Sequence, residues 1–248
     1  MEIIINEFAD EYTDEIHLLN KLKWSRNHVD GVKALTNIDI EFYNTHIQYP
    51  DLKTYYTAKT LKIDGCSGYA IMQYKNAPSG ADESCYSKIG WNIHQLKYHY
   101  DDIDADSAII ELFNLVEYNI NLILSYEGIN DFYLIPAPSF TTDFTKKVPY
   151  LFTDFFNSNS PQAELSWDHV FKTQDLRAKV MNRGEEFPSG VFISDTFSDE
   201  KPIVIIDDLY GEGATARAVV SAIRNEGNKN KIIFISLTYN GFGGIKKK

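Results

Sequence analysis

KPIVIIDDLYGEGAT, residues 201–215, sets an apolar run, two adjacent carboxylates and a glycine-bearing turn directly ahead of a helix-forming segment. Ile203, Val204, Ile205 and Ile206 are consecutive, apolar and β-branched, the composition of a strand covered on both faces in a parallel sheet. From Ala214 to Glu226 the spacing predicts a helix: Ala218, Val219, Ala222 and Ile223 recur along one face, and Gly227 is placed to end it. Ile232–Leu237 supplies the next strand. Strand, helix and strand in this order make a βαβ unit, with its loop at the carboxyl end of the first strand.

Gly211 and Gly213 let the backbone turn tightly and approach a ligand. The first amides of the following helix point outward with a partial positive charge, a setting for a phosphate. Asp207 and Asp208 lie just before, where two carboxylates repel a polyanion but accept hydrogen bonds from the vicinal hydroxyls of a ribose. The stretch therefore suits a ligand with a phosphate at one end and a diol beside it. The plainer alternative is an acidic start to a helix-capping turn, since acids near a helix N-terminus stabilise it by roughly 0.3–1 kcal/mol.

Three phosphate-binding motifs compete for these residues. A Walker A loop needs a Lys and then Ser or Thr after its second Gly, and GEGATAR has neither in place. A dinucleotide fingerprint is formally present as Gly211-x-Gly213-x-x-Ala216. Four residues separate Ile206 from Gly211, however, and the following strand ends in Thr238-Tyr239-Asn240 without the acid that motif expects. The third fits almost throughout: Ile203–Thr215 resembles the motif by which type I phosphoribosyltransferases bind 5-phosphoribosyl 1-diphosphate (PRPP), an apolar strand, two acids, two apolar residues and a short loop ending in Gly-x-Thr or Ser.

The resemblance extends to the ComF-like, amidophosphoribosyltransferase-related branch. Ile93-His94-Gln95-Leu96-Lys97-Tyr98 is similar to the Leu-Lys-Tyr segment that precedes a long helix there, here Asp106–Ser125. Phe132-Tyr133-Leu134-Ile135-Pro136-Ala137-Pro138 looks like the family's first strand and pyrophosphate loop. Gln174, Arg177, Asn182 and Gly190-Val191-Phe192 resemble the polar hairpin and strand ahead of the PRPP loop. The similarity covers roughly residues 89–240, one ordinary domain.

This resemblance implies transfer of phosphoribosyl from PRPP to a nitrogen acceptor with release of diphosphate. Asp207 and Asp208 would hold the ribose hydroxyls and face Mg2+, directly or through water, the ion bridging ribose and diphosphate oxygens. Leu209, Tyr210, Gly211, Glu212, Gly213, Ala214 and Thr215 would form the 5-phosphate loop. Pro136, Ala137, Pro138 and Ser139, continuing to Phe140, would face the diphosphate. Lys146 and Lys147 stand in for the Arg-Gly-Phe-Asn that usually follows that loop. Arg177 and Arg183, with Lys172 and Lys179, would screen developing negative charge from a mobile hairpin; a solvated loop is the alternative for this basic segment.

The sequence departs from the family in two further places. Gly211 and Glu212 replace small hydroxyl residues, and Glu212 sets a negative charge beside the phosphate position; a lost hydroxyl removes a hydrogen bond worth ~1.5–3 kcal/mol to a charged ligand. The four-cysteine N-terminal zinc module of many ComF proteins is missing, because Cys66 and Cys85 are the only two cysteines and form no C-x-x-C pair. Two other classes stay open: a PRPP- or nucleotide-sensing regulatory module without turnover, and a partner-binding protein on a degenerated fold.

Composition points to a cytoplasmic protein that crosses no membrane. The 248 residues are 44% hydrophobic, enough to bury a full core, with no apolar run near spanning length and no signal peptide expected. A net charge of −11 argues against general nucleic-acid binding, whose affinity comes largely from Lys and Arg neutralising phosphates. The expected partners are PRPP and a small nitrogen acceptor, and the resemblance admits a homodimer.

The chain divides into two parts. Residues 1–88 form an N-terminal region, a hood or lobe, with an amphipathic helix expected over Thr13–Trp24, alternating aromatic stretches at Tyr55–Ile63 and Tyr69–Tyr74, and a turn-rich Asn76–Ser84. Residues 89–248 form the phosphoribosyltransferase-like domain. In it Ile109, Leu112, Phe113, Val116, Ile120, Ile123 and Leu124 fall on one helical face with Gly128 as the stop. Phe132–Ile135 reads as a strand and Phe144–Phe156 as a helix that Pro149 shortens or kinks. With Val191–Ser194, Ile203–Ile206 and Ile232–Leu237 as further strands, the expected class is α/β, a mainly parallel sheet flanked by helices.

Overall fold

A computed structural model describes residues 58–77, 80, 82–140, 143–144, 146–176 and 186–241. The helix expected over Thr13–Trp24, the candidates Arg177 and Arg183, and also Lys179, Asn182 and the lysine tail lie outside the described residues.

The chain is α/β, with a mostly parallel six-stranded sheet between helices. Its elements are β1 (Lys59–Leu61), β2 (Ser67–Gln73), α1 (Lys88–Tyr98), α2 (Ala105–Glu127), β3 (Phe132–Pro136), α3 (Val148–Asn159), β4 (Ala163–Leu165), β5 (Val170–Lys172), β6 (Phe192–Ser194), β7 (Ile203–Tyr210), α4 (Ala214–Asn225) and β8 (Ile232–Tyr239). The sheet order is β1-β2-β8-β7-β3-β4. Every pairing is parallel except β1 with β2, which is antiparallel. Two strands from the 1–88 region thus lie in this sheet.

Strand alternation divides the core. Val204 and Ile206 face one side with Leu134, Ile233 and Ile235, covered by α1, α2 and α3 through residues such as Ile93, Leu112 and Phe152. Ile203 and Ile205 face the other side with Ile135 and Phe234, covered by Val219 and Ile223 of α4 and by Val170 and Phe192. Burying one such Ile or Val side chain fully contributes about 1.5–3 kcal/mol, which is why the central strands carry unbroken apolar runs.

Three expectations need correction. The composition of Val191–Ser194 suggests a strand of the main sheet; residues Phe192–Ser194 instead pair antiparallel with β5 in a separate two-stranded sheet, because Phe192 packs onto the α4 face. The helix expected from Phe144 begins at Val148, with Pro149 in its first turn, where the missing amide proton costs nothing. Finally, α2 is 23 residues long and by length and composition could cross a bilayer, contrary to the expected lack of such a segment. Half of its most apolar window is buried, and Leu112, Val116, Ile120 and Ile123 are fully inside the core. Its ends match the sequence signals: Asp104 caps it by accepting from the Ser107 amide, and Gly128 stops it at φ +69°.

The connections fix where a ligand belongs. From β3 the chain passes through α3 to β4 at one edge; from β7 it passes through α4 to β8 in the opposite direction and over the other face. β3 and β7 are neighbours, so the crevice beyond their carboxyl ends is a topological switch point, the place where open α/β sheets take ligands.

Candidate functional site

Asp207 and Asp208 sit at that crevice. The strand that carries them continues past its apolar run, pairing Asp207 with Ser236, Leu209 with Thr238 and Tyr210 with Tyr239. The acids, Leu209 and Tyr210 are therefore held by the sheet rather than by the loop. The buried Thr238 hydroxyl fixes this extension by donating to the Asp208 carbonyl at 2.6 Å, while Ser236 donates to the Thr238 carbonyl at 2.6 Å.

The two carboxylates have different surroundings. Asp207 Oδ1 accepts the Asp208 amide at 2.9 Å. Burial, reinforced by the adjacent Asp208 charge, raises its pKa well above the ordinary carboxylate range, with Lys97 opposing the shift. Asp208 Oδ2 instead accepts from Lys97 Nζ at 2.6 Å, across 111 residues of sequence. Burial alone would lower the Lys97 pKa; the Asp208 charge and hydrogen bond outweigh it and raise the pKa. Parity explains the assignment: Asp208 follows Val204 and Ile206 onto the α1 side of the sheet.

Because burial lifts Asp207 above its unfolded-state pKa, the protonated group favours the fold. That contribution is complete below the unfolded carboxylate pKa and fades as pH climbs through the raised folded-state value. Ionised Asp207 then costs stability. Asp207→Asn should therefore be more stable than the parent at neutral pH by roughly 1–2 kcal/mol after allowance for partial exposure, or ~2–8 °C in melting temperature. Melts followed from pH ~4 to ~8 should show the difference shrinking towards the acid end. A variant less stable at neutral pH would mean that ionised Asp207 is well satisfied.

The loop beyond β7 turns at one glycine, not two. Gly213 has φ +82° and caps α4 without any side-chain hydrogen bond. A Cβ there would run into the Tyr210 hydroxyl and stand 2.9 Å from Arg217 Nη1. Gly211 lacks a positive φ, and a Cβ on it would meet nothing. Arg217 braces the loop, donating to the Glu212 carbonyl at 2.8 Å and to Glu186 at 2.6 Å. Glu212 is exposed, and Ala214 and Thr215 open the helix, whose first amides meet no capping side chain.

The Pro-x-Pro turn lies alongside. Pro136 pairs with Ile206, and the Ala137 amide donates to the Ile206 carbonyl at 2.7 Å, which sets Pro138 and Ser139 against the same crevice edge. The Ser139 amide makes a long 3.5 Å contact with the Tyr150 hydroxyl. Lys146 is engaged elsewhere: its ammonium contacts Asp101 at 2.5 Å and lies over the Tyr100 ring. Lys147 is the N-cap residue of α3.

Lys97, Ser236 and Thr238 are parts of the site to which sequence reasoning gave no role. Next to Lys97, His94 is the centre of an aromatic rim, with ring centroids 4.7 Å from Tyr86, 4.9 Å from Tyr98 and 5.5 Å from Trp91. Burial, with His99 and Lys75 nearby, keeps its pKa low. Among the described residues no three His, Cys, Asp or Glu side chains gather at metal-binding distance. Mg2+ is commonly held by one or two carboxylates plus substrate phosphates, and Asp207 and Asp208 supply hard oxygens of that kind only alongside oxygens from a ligand. A scan against protein-family models and a search of curated proteins find no match to this chain.

Proposed function

We propose that this chain is a PRPP-dependent phosphoribosyltransferase-like protein that moves phosphoribosyl to a nitrogen acceptor and releases diphosphate. The observation that carries the reading is the acid pair in the carboxyl-terminal half of β7, at the switch-point crevice, a few residues ahead of a helix that starts at an αL glycine with no side-chain cap. Few ligands suit both a diol acceptor and an anion-binding helix end so close together; a ribose 5-phosphate is one.

In this reading Asp207 and Asp208 accept hydrogen bonds from the ribose hydroxyls, and the amides from Gly213 onward, with the Thr215 hydroxyl, hold the 5-phosphate. The Pro136–Ser139 backbone faces the diphosphate. The bond from C1 to the diphosphate oxygen breaks as C1 gains oxocarbenium character, the acceptor nitrogen forms the new C1–N bond, and its proton passes to solvent. Mg2+, when bound, supplies charge neutralisation for the leaving diphosphate. Positioning and electrostatic stabilisation carry most of the acceleration in such a reaction, so no protein nucleophile is required.

A PRPP- or nucleotide-sensing module without turnover is the second reading. It is favoured by Lys146, which pairs with Asp101 instead of the diphosphate position, and by the exposed Glu212 at the helix start. Calorimetric titration with PRPP, with and without Mg2+, followed by diphosphate-release assays with nucleobases, ammonia and glutamine, separates the two. Magnesium-dependent binding is expected under both, and release only under the first. No binding at millimolar PRPP would remove both.

A further inference from the structure

The cations around the crevice serve different partners. Lys146 is held by Asp101, and Arg217 by Glu186 and the Glu212 carbonyl. Lys97 reaches from the last turn of α1 into the acid pair itself, 2.6 Å from Asp208 Oδ2. The carboxyl end of α1 favours a cation there. This is no open surface pair, since the Asp208 side chain is only 14% exposed. An ammonium has three donors and Asp208 takes one; with the Lys97 side chain 37% exposed, donors remain for a ligand. The neighbouring backbone across the crevice is the Pro-x-Pro turn, tied to β7 through the Ala137 amide.

We infer that Lys97 is a positioning and specificity residue of this site: its ammonium bridges Asp208 to the 1-diphosphate of PRPP, so that an acid pair which by itself repels a polyanion accepts one. The inference rests on the phosphoribosyl reading above. Lys97 offsets the Asp208 charge where the diphosphate approaches, while the backbone that carries the carboxylate is held in place by β8 and the Thr238 hydroxyl. Ligands carrying the 1-diphosphate gain this contact; ribose 5-phosphate, which lacks it, does not. A lysine serving only the fold would not distinguish them.

The test titrates the parent, Lys97→Met and Lys97→Arg with magnesium PRPP, magnesium diphosphate and ribose 5-phosphate, after melts establish that each variant is folded. Lys97→Met should bind PRPP and diphosphate at least ~10-fold more weakly, the loss of one charge-assisted contact, and ribose 5-phosphate within ~3-fold of the parent. Lys97→Arg should recover most of the difference. Should Lys97→Met fail to fold, Lys97→Gln carries the same expectations. Parental affinity of the Met variant for diphosphate and PRPP, or equal weakening for all three ligands, overturns the role of Lys97 while leaving the phosphoribosyl reading in place. A folded parent that binds none of the three overturns both.

Discussion

The Asp207→Asn/Asp208→Asn chain is expected to bind PRPP at least ~100-fold more weakly than the parent in the presence of magnesium. Each carboxylate in the proposed complex accepts a hydrogen bond from a ribose hydroxyl, and a hydrogen bond to a charged group is worth ~1.5–3 kcal/mol. Two such losses give a factor of about 10²–10⁴. The substitutions should not reach this result through unfolding. Burial already penalises ionised Asp207, so Asn there relieves a cost. Lys97, left without its partner, has a side chain 37% exposed and can be hydrated, which limits the cost of losing the pair. Calorimetry of parent and double variant, with melting curves beside it, reads both quantities. Retained affinity in a folded double variant would place the sugar away from the end of β7.

That site was legible in part because its two halves obey local rules. Four β-branched residues ahead of two acids mark a buried strand ending in polar groups, and helical periodicity from Ala214 to Glu226 marks the helix behind them. The core and the end signals at Gly128 and Gly227 arise from the same local chemistry, both glycines having positive φ. The length of β7 was not legible. Asp207–Tyr210 has no apolar run, and it is strand because β8 pairs with it and Thr238 reaches the Asp208 carbonyl.

Lys97 illustrates the larger gap. Its contact with Asp208 spans 111 residues and depends on which sheet face α1 covers, a property of the assembled layers and not of either segment. The Leu96-Lys97-Tyr98 stretch draws attention only through a family resemblance, and nothing in its spacing names a carboxylate partner. Phe192–Ser194 errs in the opposite sense. Its composition is that of a strand, which it is, but composition does not say which sheet a strand joins.

Gly213 and Gly211 look equivalent in the sequence, and the structure separates them sharply. Gly213→Ala should destabilise the protein by roughly 2–4 kcal/mol. The left-handed backbone at φ +82° costs a side-chain-bearing residue about 1–2 kcal/mol. The new methyl must also displace the Tyr210 hydroxyl and crowd Arg217, the residue that clamps the Glu212 carbonyl at 2.8 Å. Gly211→Ala meets no atom and no positive φ, so its effect should lie within ~0.5 kcal/mol or be stabilising by up to ~1 kcal/mol, because the unfolded chain loses freedom. Paired melts of the two variants should therefore differ by roughly 5–15 °C. The same geometry governs binding. Gly213 sets the direction of the first α4 amides, and a shifted turn re-aims the donors proposed for the 5-phosphate. Gly213→Ala should thus weaken ribose 5-phosphate binding by ~10-fold or more while Gly211→Ala leaves it near the parental value. Equal responses of the two variants would show that the helix start is set by its packing against Tyr210 and Arg217, with no special demand at residue 213.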